Sequence, residues 1–167
     1  MSEVFSIGLA TPEDIPAIMA IERSPGYDAL VGRWEEAQHR AEMAKPSTRY
    51  FALREGGALA GFAIVLGLDD ANARAHLKRI AVAAPGRGDG ARLLRGLIDN
   101  LFAETEVNRL DLDVFVGNDR AKAAYETAGF LAEGVMREHH RASDGGYRDV
   151  WLMSILRRDW LSAHGGG

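Results

Sequence analysis

Five residues, Gly86-Arg87-Gly88-Asp89-Gly90, carry the clearest chemical pattern in the chain. Glycine adopts turn conformations that other residues resist and leaves the main chain bare. Glycines at a helix start therefore present N–H groups where the helix dipole favours an anion. Ile80-Ala81-Val82 before the loop reads as a strand, and Leu93, Leu94, Leu97, Ile98 and Leu101 after it recur at helical spacing. A strand, a glycine turn and a helix N-terminus together make a seat for a diphosphate. A tight turn with no ligand is the plain alternative.

A second constellation follows the apolar run Leu112-Asp113-Val114-Phe115-Val116: Asn118, Ala121, Tyr125 and Gly129-Phe130, spaced so that one helix face aims at one cleft. His139 and His140 invite a metal reading. Neighbours on a regular strand face opposite sides, so the two are not expected to ligate one ion, and no metal is expected. With no cysteine, a thiol nucleophile, a Cys-type zinc site and disulfides are excluded.

The elements that must position these residues are legible from periodicity. Val4 to Leu9 reads as a strand. Thr11-Pro12-Glu13-Asp14 starts a helix running to Glu22, and a second helix spans about Leu30 to Met43. Tyr50 to Arg54 and Leu59 to Leu68 form a hairpin around Glu55-Gly56-Gly57, and His76 to Val82 is a further strand. Helix Asp89 to Ala103 leads to strand Arg109 to Val116, and helix Asn118 to Ala128 ends at Gly129. A last hairpin pairs Leu131 to Arg141 with Tyr147 to Leu156. Asp159 onward reads as a flexible tail.

The chain has 167 residues, 47% hydrophobic, enough for one self-sufficient domain over residues 1–167 with an ordered core of about 4–156. Lys and Arg total 20 against 24 acids, net −4, with no basic tract interleaved with aromatics. Nucleic acid is thus not an expected partner. Neither a basic, apolar leader nor a run of about 20 apolar residues is present, so no membrane partner is expected and a cytoplasmic protein is.

Gly86-x-Gly88-x-x-Ala91 also satisfies the dinucleotide fingerprint, with Asp111 or Asp113 near the distance of a ribose contact. That fingerprint normally opens its domain, whereas two helices and three strands precede it here and too few strands remain for two mononucleotide halves. A P-loop is excluded because no Gly-Lys-Ser/Thr follows the glycines.

The Arg87-Gly88-Asp89-Gly90 loop with Leu93-Leu94, taken with Asn118, Ala121, Tyr125 and Gly129-Phe130, resembles the GNAT superfamily of acetyl-CoA-dependent N-acetyltransferases. The resemblance covers about Val4 to Ile155. It implies an α/β (α+β) fold with a mixed, mostly antiparallel seven-stranded sheet and about four helices, in the order strand, two helices, three strands, helix, strand, helix, two strands. Gly134-x-x-Arg137 and Gly146-Tyr147-x-Asp149-x-x-x-Met153 resemble the branch holding ribosomal-protein N-terminal acetyltransferases. Pro85 departs from the superfamily pattern where Gln or Arg is usual. So does Asp89, whose charge would lie near the diphosphate unless Arg87 and Arg92 offset it.

The resemblance implies acetyl transfer from acetyl-CoA to a primary amine, either a small amine or a protein N-terminus, by direct attack in a ternary complex. The pantetheine arm is expected along Ile80, Ala81 and Val82, with the acetyl carbonyl near a main-chain N–H there. The diphosphate is expected on Arg87, Gly88, Asp89, Gly90, Ala91 and Arg92, with Asn118 and Ala121 completing the cofactor site. Tyr125 is the expected proton donor to the leaving thiolate, since a phenol stays protonated at neutral pH; packing against the sheet is its plainer role. A glutamate common in relatives is replaced here by Lys78, which leaves His76, Asp111 and Asp113 as candidate bases. Tyr27, Trp34, Glu35 and Glu36 fall in the acceptor region. A CoA-binding sensor without turnover is the alternative, and a homodimer is compatible with the sequence.

Overall fold

The computed structural model describes residues 4–25 and 33–165. Its strands are β1 (Phe5–Leu9), β2 (Arg49–Glu55), β3 (Ala58–Leu66), β4 (Arg74–Val82), β5 (Arg109–Phe115), β6 (Leu131–Arg141) and β7 (Tyr147–Leu156). The helices among the described residues are α1 (Ile15–Glu22), α2 (Glu36–Met43), α3 (Asp89–Glu104), α4 (Asp119–Ala128) and α5 (Arg157–His164), with a 3-10 turn at Pro12–Asp14. All seven strands form one sheet in the order β1-β2-β3-β4-β5-β7-β6. Every pairing is antiparallel except β4 with β5, because the helix α3 carries the chain back across the sheet between those two. The mixed, mostly antiparallel seven-stranded expectation holds.

Strand alternation builds two cores. Phe51 and Leu53 of β2 and Ala63 and Val65 of β3 face α3, which buries Leu93, Leu97, Leu101 and Phe102 against them. The intervening Tyr50, Phe62 and Ile64 face α1 through Ile18 and Ile21. Each fully buried leucine contributes about 2 kcal/mol by leaving water, so the α3 face supplies a large share of the cohesion.

A bulge in β4 sets up the site. Ile64 pairs with Arg79 but Val65 pairs with Leu77, leaving Lys78 as the extra residue. The inserted residue shifts the alternation by one, so Leu77 before it and Ile80 after it both pack on the α3 side. Beyond His76↔Asp111 the parallel pairing of β4 with β5 stops, and the two strands separate.

Three expectations change. Pro12 opens a 3-10 turn rather than α1, with the Thr11 N–H donating to Asp14 Oδ2 at 2.8 Å. The second helix occupies Glu36–Met43, and the expected stretch from Leu30 through Gly32 lies outside the described residues. The expected tail is α5 instead. Trp160 Nε1 donates to Asp99 Oδ1 at 2.8 Å and its ring lies 5.8 Å from Phe102. Arg157 donates to the carbonyls of Phe102 and Val107, closing the C-terminal end of α3. Among the described residues no helix is long and apolar enough to cross a membrane.

Candidate active site

Where β4 and β5 part, a slot opens in the middle of the sheet. Ala83 donates its N–H to Ala60 of the β3 side, so alternation along β4 turns the N–H of Ile80 to the opposite edge, toward the slot. An extended ligand arm can therefore pair with β4 where β5 no longer does. Ile80, Ala81, Val82, Gly90, Ala91 and Ala121 line one groove of about 190 Å³, together with Leu94, Ala124 and Tyr125. Small side chains on α3 and α4 keep this groove open. Leu94 and Ala124 were not expected in it; they are the next turn-mates of residues that were.

The glycine loop ends against the same groove. Gly86 and Gly88 hold φ of +88° and +86°, the left-handed region that favours glycine, and Gly88 is the N-cap of α3. The first bond of the α3 ladder runs from the Arg92 N–H to the Gly88 carbonyl, so the amides of 89–91 precede it and face outward as donors. Asp89 is buried and ion-paired with Arg87 Nη2 at 3.0 Å, and the same guanidinium also meets Glu55. The unwelcome charge at the anion seat is therefore held within the protein. Arg92 stacks on the Phe5 ring at 3.7 Å. Arg87, Asp89 and Arg92 thus make protein contacts with their side chains, and Arg87 and Arg92 stay exposed.

On the other face a polar cavity of about 220 Å³ is lined by His76, Lys78, Arg79, Asp113, Phe115, Asn118, Tyr125, His139 and His140, among others. Tyr125 and Ala121 border both spaces, so α4 forms the neck between them. The Tyr125 ring packs edge-on to Phe130 at 5.7 Å, and burial pushes its phenol up to about 12. Packing and a chemical role coexist in this residue. Asn118 likewise caps α4, accepting from the Ala121 N–H at 3.4 Å, while its side of the residue lines the polar cavity.

His76 and Asp111 sit at the last paired rung of β4 and β5, with Nδ1 and Oδ1 2.6 Å apart. Two residues on, Asp113 Oδ2 lies 3.4 Å from His139 Nε2. Both His139 and His140 line the cavity, contrary to the expectation that neighbours diverge. The pairing slips between Met136 and His140, and Glu138 adopts φ +50°, so strand alternation fails there.

A buried charged cluster lies behind the cavity. Arg79 Nη1 reaches Glu22 Oε1 at 3.3 Å, Glu22 meets His39 Nε2 at 2.9 Å, and His39 Nδ1 meets the Tyr50 hydroxyl at 2.7 Å. Trp34, expected near the acceptor, packs under the Arg79 guanidinium at 4.1 Å and belongs to the core. Glu35 pairs with Arg23, Glu36 pairs with Arg40, and Tyr27 lies outside the described residues.

A sheet split by a slot, with anion donors at one mouth and a protonated phenol between two cavities, suits a group transferase that meets its donor and acceptor from opposite faces. The model of the Acetyltransferase (GNAT) family matches residues 15–130. The chain is 36% identical over 129 residues to the N-alpha-acetyltransferase RimI of Mycobacterium tuberculosis, covering 75% of each. The solved ribosomal-protein-S18-alanine N-acetyltransferase of Escherichia coli matches at TM-score 0.75 and 29% identity, over 92% of this chain and 94% of that one. A dodecameric spermidine N-acetyltransferase from Vibrio cholerae shares the fold at TM-score 0.80 and 22% identity, over 95% and 97%. The chain belongs to the GNAT acetyltransferase family and is an acetyl-CoA-dependent N-acetyltransferase.

Proposed function

We propose that this enzyme acetylates the α-amino group of a peptide or protein N-terminus, with acetyl-CoA in the apolar groove and the amine in the polar cavity. One observation carries the reading: Tyr125 borders both spaces at the point where the sheet parts. The residues present fit the cosubstrate. Outward amides at the start of α3 match a diphosphate, the β4 edge at Ile80 matches an extended amide-bearing arm, and the small residues of α3 and α4 leave it room.

Acetyl-CoA supplies an acetyl group activated as a thioester. The N–H of Ile80 faces the slot as a donor for the acyl oxygen, where charge gathers during attack. Tyr125 meets the departing sulfur. Complete proton loss from a phenol at about 12 to an alkyl thiolate near 8.5 is uphill by about 5 kcal/mol, so Tyr125 acts first as a hydrogen-bond donor. Asn118 and Ala121 flank it on α4 and set the width of the neck. The identity shared with N-terminal acetyltransferases supports an α-amine over a polyamine. A cytoplasmic place of action fits it.

The test offers acetyl-CoA with an Ala-initiated octapeptide, the same peptide with a blocked N-terminus and one internal lysine, and spermidine. Free thiol is followed and the product is sequenced by mass. Acetyl on the α-nitrogen of the first peptide is expected. Turnover of spermidine alone would move the acceptor assignment to polyamines, and CoA binding with no thiol release from any acceptor would restore the sensor alternative.

A further inference from the structure

Resting on that reading, we propose that His76, held by Asp111, is the group that takes the acceptor's proton. The bulge at Lys78 and the end of the β4–β5 ladder place His76 at the root of the slot, on the face opposite Leu77. Its ring borders the polar cavity that Tyr125 also borders. Asp111 engages Nδ1 at 2.6 Å and, as a carboxylate, can only accept, so Nδ1 carries the hydrogen and Nε2 keeps its lone pair. The second oxygen of Asp111 lies 3.4 Å from Arg109 Nε, while Arg109 is held by two bonds to Glu133 at 2.8 and 2.6 Å. Asp111 is thus fixed from behind and is a positioning residue. The side chain of His76 is 36% exposed, so its proton has a route to water.

Asp111 of β5 touches His76 and is itself met by Arg109; Asp113 of β5, Lys78 and Arg79 of β4, His139 and His140 of β6 and Tyr125 of α4 are the other titratable groups on the cavity that His76 lines. Asp113 is the rival base, and it faces His139 at 3.4 Å.

In the reaction His76 Nε2 takes one proton from the acceptor ammonium and later releases it to water. The freed nitrogen lone pair forms the bond to the acetyl carbon, and the carbon–sulfur bond breaks with its electron pair left on sulfur. Tyr125 passes its hydroxyl proton to that sulfur as the nitrogen's second proton replaces it. One ammonium and one thioester thus become an amide, a thiol and one released proton.

The size of the effect depends on the acceptor. An α-amine of pKa near 8 is already about one-tenth neutral at pH 7, whereas an alkyl amine near 10.4 is neutral in fewer than about one molecule in a thousand. His76→Gln should therefore lower kcat/KM for the Ala-initiated octapeptide about 10-fold at pH 7, recover near pH 9, and lower any alkyl-amine turnover about 100-fold or more. CoA affinity should stay within about twofold. Asp111→Asn should give a smaller loss with the same pH trend.

A readout independent of turnover is the nitrogen spectrum of the imidazoles in the free protein. His76 should show the proton on Nδ1, and Asp111→Asn should shift it toward Nε2. A proton on Nε2 in the native protein overturns the proposal. So does an unchanged pH profile in His76→Gln while Tyr125→Phe remains slow, or loss of the acidic limb in Asp113→Asn instead; in those cases the acetyltransferase reading survives. If the native enzyme acetylates neither peptide nor spermidine, that reading fails and the base falls with it.

Discussion

Replacing Tyr125 by phenylalanine removes one hydroxyl and little else. The ring keeps its edge-on contact with Phe130 at 5.7 Å, and among the described residues the hydroxyl makes no protein hydrogen bond that the change would break. Thermal stability should therefore hold to within about 1 kcal/mol. Chemistry should not. A hydrogen bond to a developing anion contributes about 1.5–3 kcal/mol, which corresponds to a fall in kcat of roughly 10- to 150-fold. The assay is thiol release at saturating acetyl-CoA and octapeptide, beside calorimetric CoA binding to both proteins. CoA affinity should change by less than about twofold, because the phenol matters when sulfur gains charge. Burial raises the phenol to about 12, so ionisation of Tyr125 should not produce a falling limb in the wild-type pH profile anywhere below about pH 11. A kcat within twofold of wild type, or an equal loss of CoA affinity, would refute the role.

Gly88→Val forces a β-branched residue into φ +86°, where a Cβ would meet nothing within 4 Å; the penalty is backbone strain of about 1–2 kcal/mol that displaces the amides of 89–91. CoA affinity should fall about 10-fold, and unchanged binding would remove the anion seat. Asp14→Asn breaks the paired bonds to Arg54 at 2.9 and 2.7 Å. Arg54 lowers the Asp14 carboxyl, so the pair's contribution is complete above the unfolded value near 3.9 and is lost as pH falls through the folded one. Thermal melts should show the variant less stable by about 1 kcal/mol at pH 7, with the gap closing near pH 2. Trp160→Ala should cost about 2 kcal/mol in urea unfolding if α5 is docked as seen, and no change in midpoint would mark it as a loose end.

Periodic apolar residues made the sheet and α3 legible, since Leu93, Leu97 and Leu101 can share a face only in a helix. The glycine turn was legible because glycines cluster between a strand and a helix, and Tyr125 stood out only through the family resemblance. Features made by long-range register were not. His76 meets Asp111 across 35 residues, and the β4–β5 register that joins them has no local mark. His139 and His140 misled because the β6 irregularity overrides the two-residue period. Nothing local in the sequence joins Glu22, His39 and Arg79, and only tertiary packing buries them together. The tail was missed because its anchoring tryptophan sits in a helix too short to show a pattern.

Arg79 adjoins Ile80 in β4, and its cationic head is clasped by a carboxylate from α1 and the face of an indole. The strand edge at Ile80 is consequently locked in step with α1. Arg79 deprived of Glu22 would be a cation stranded in a dry interior, while Glu22 deprived of Arg79 would keep His39 and Arg23 beside it; a matched apolar couple of similar bulk could take both places. Under selection for activity, randomised libraries should lose nearly every single replacement at Glu22, tolerate more at Arg79, and recover joint ones.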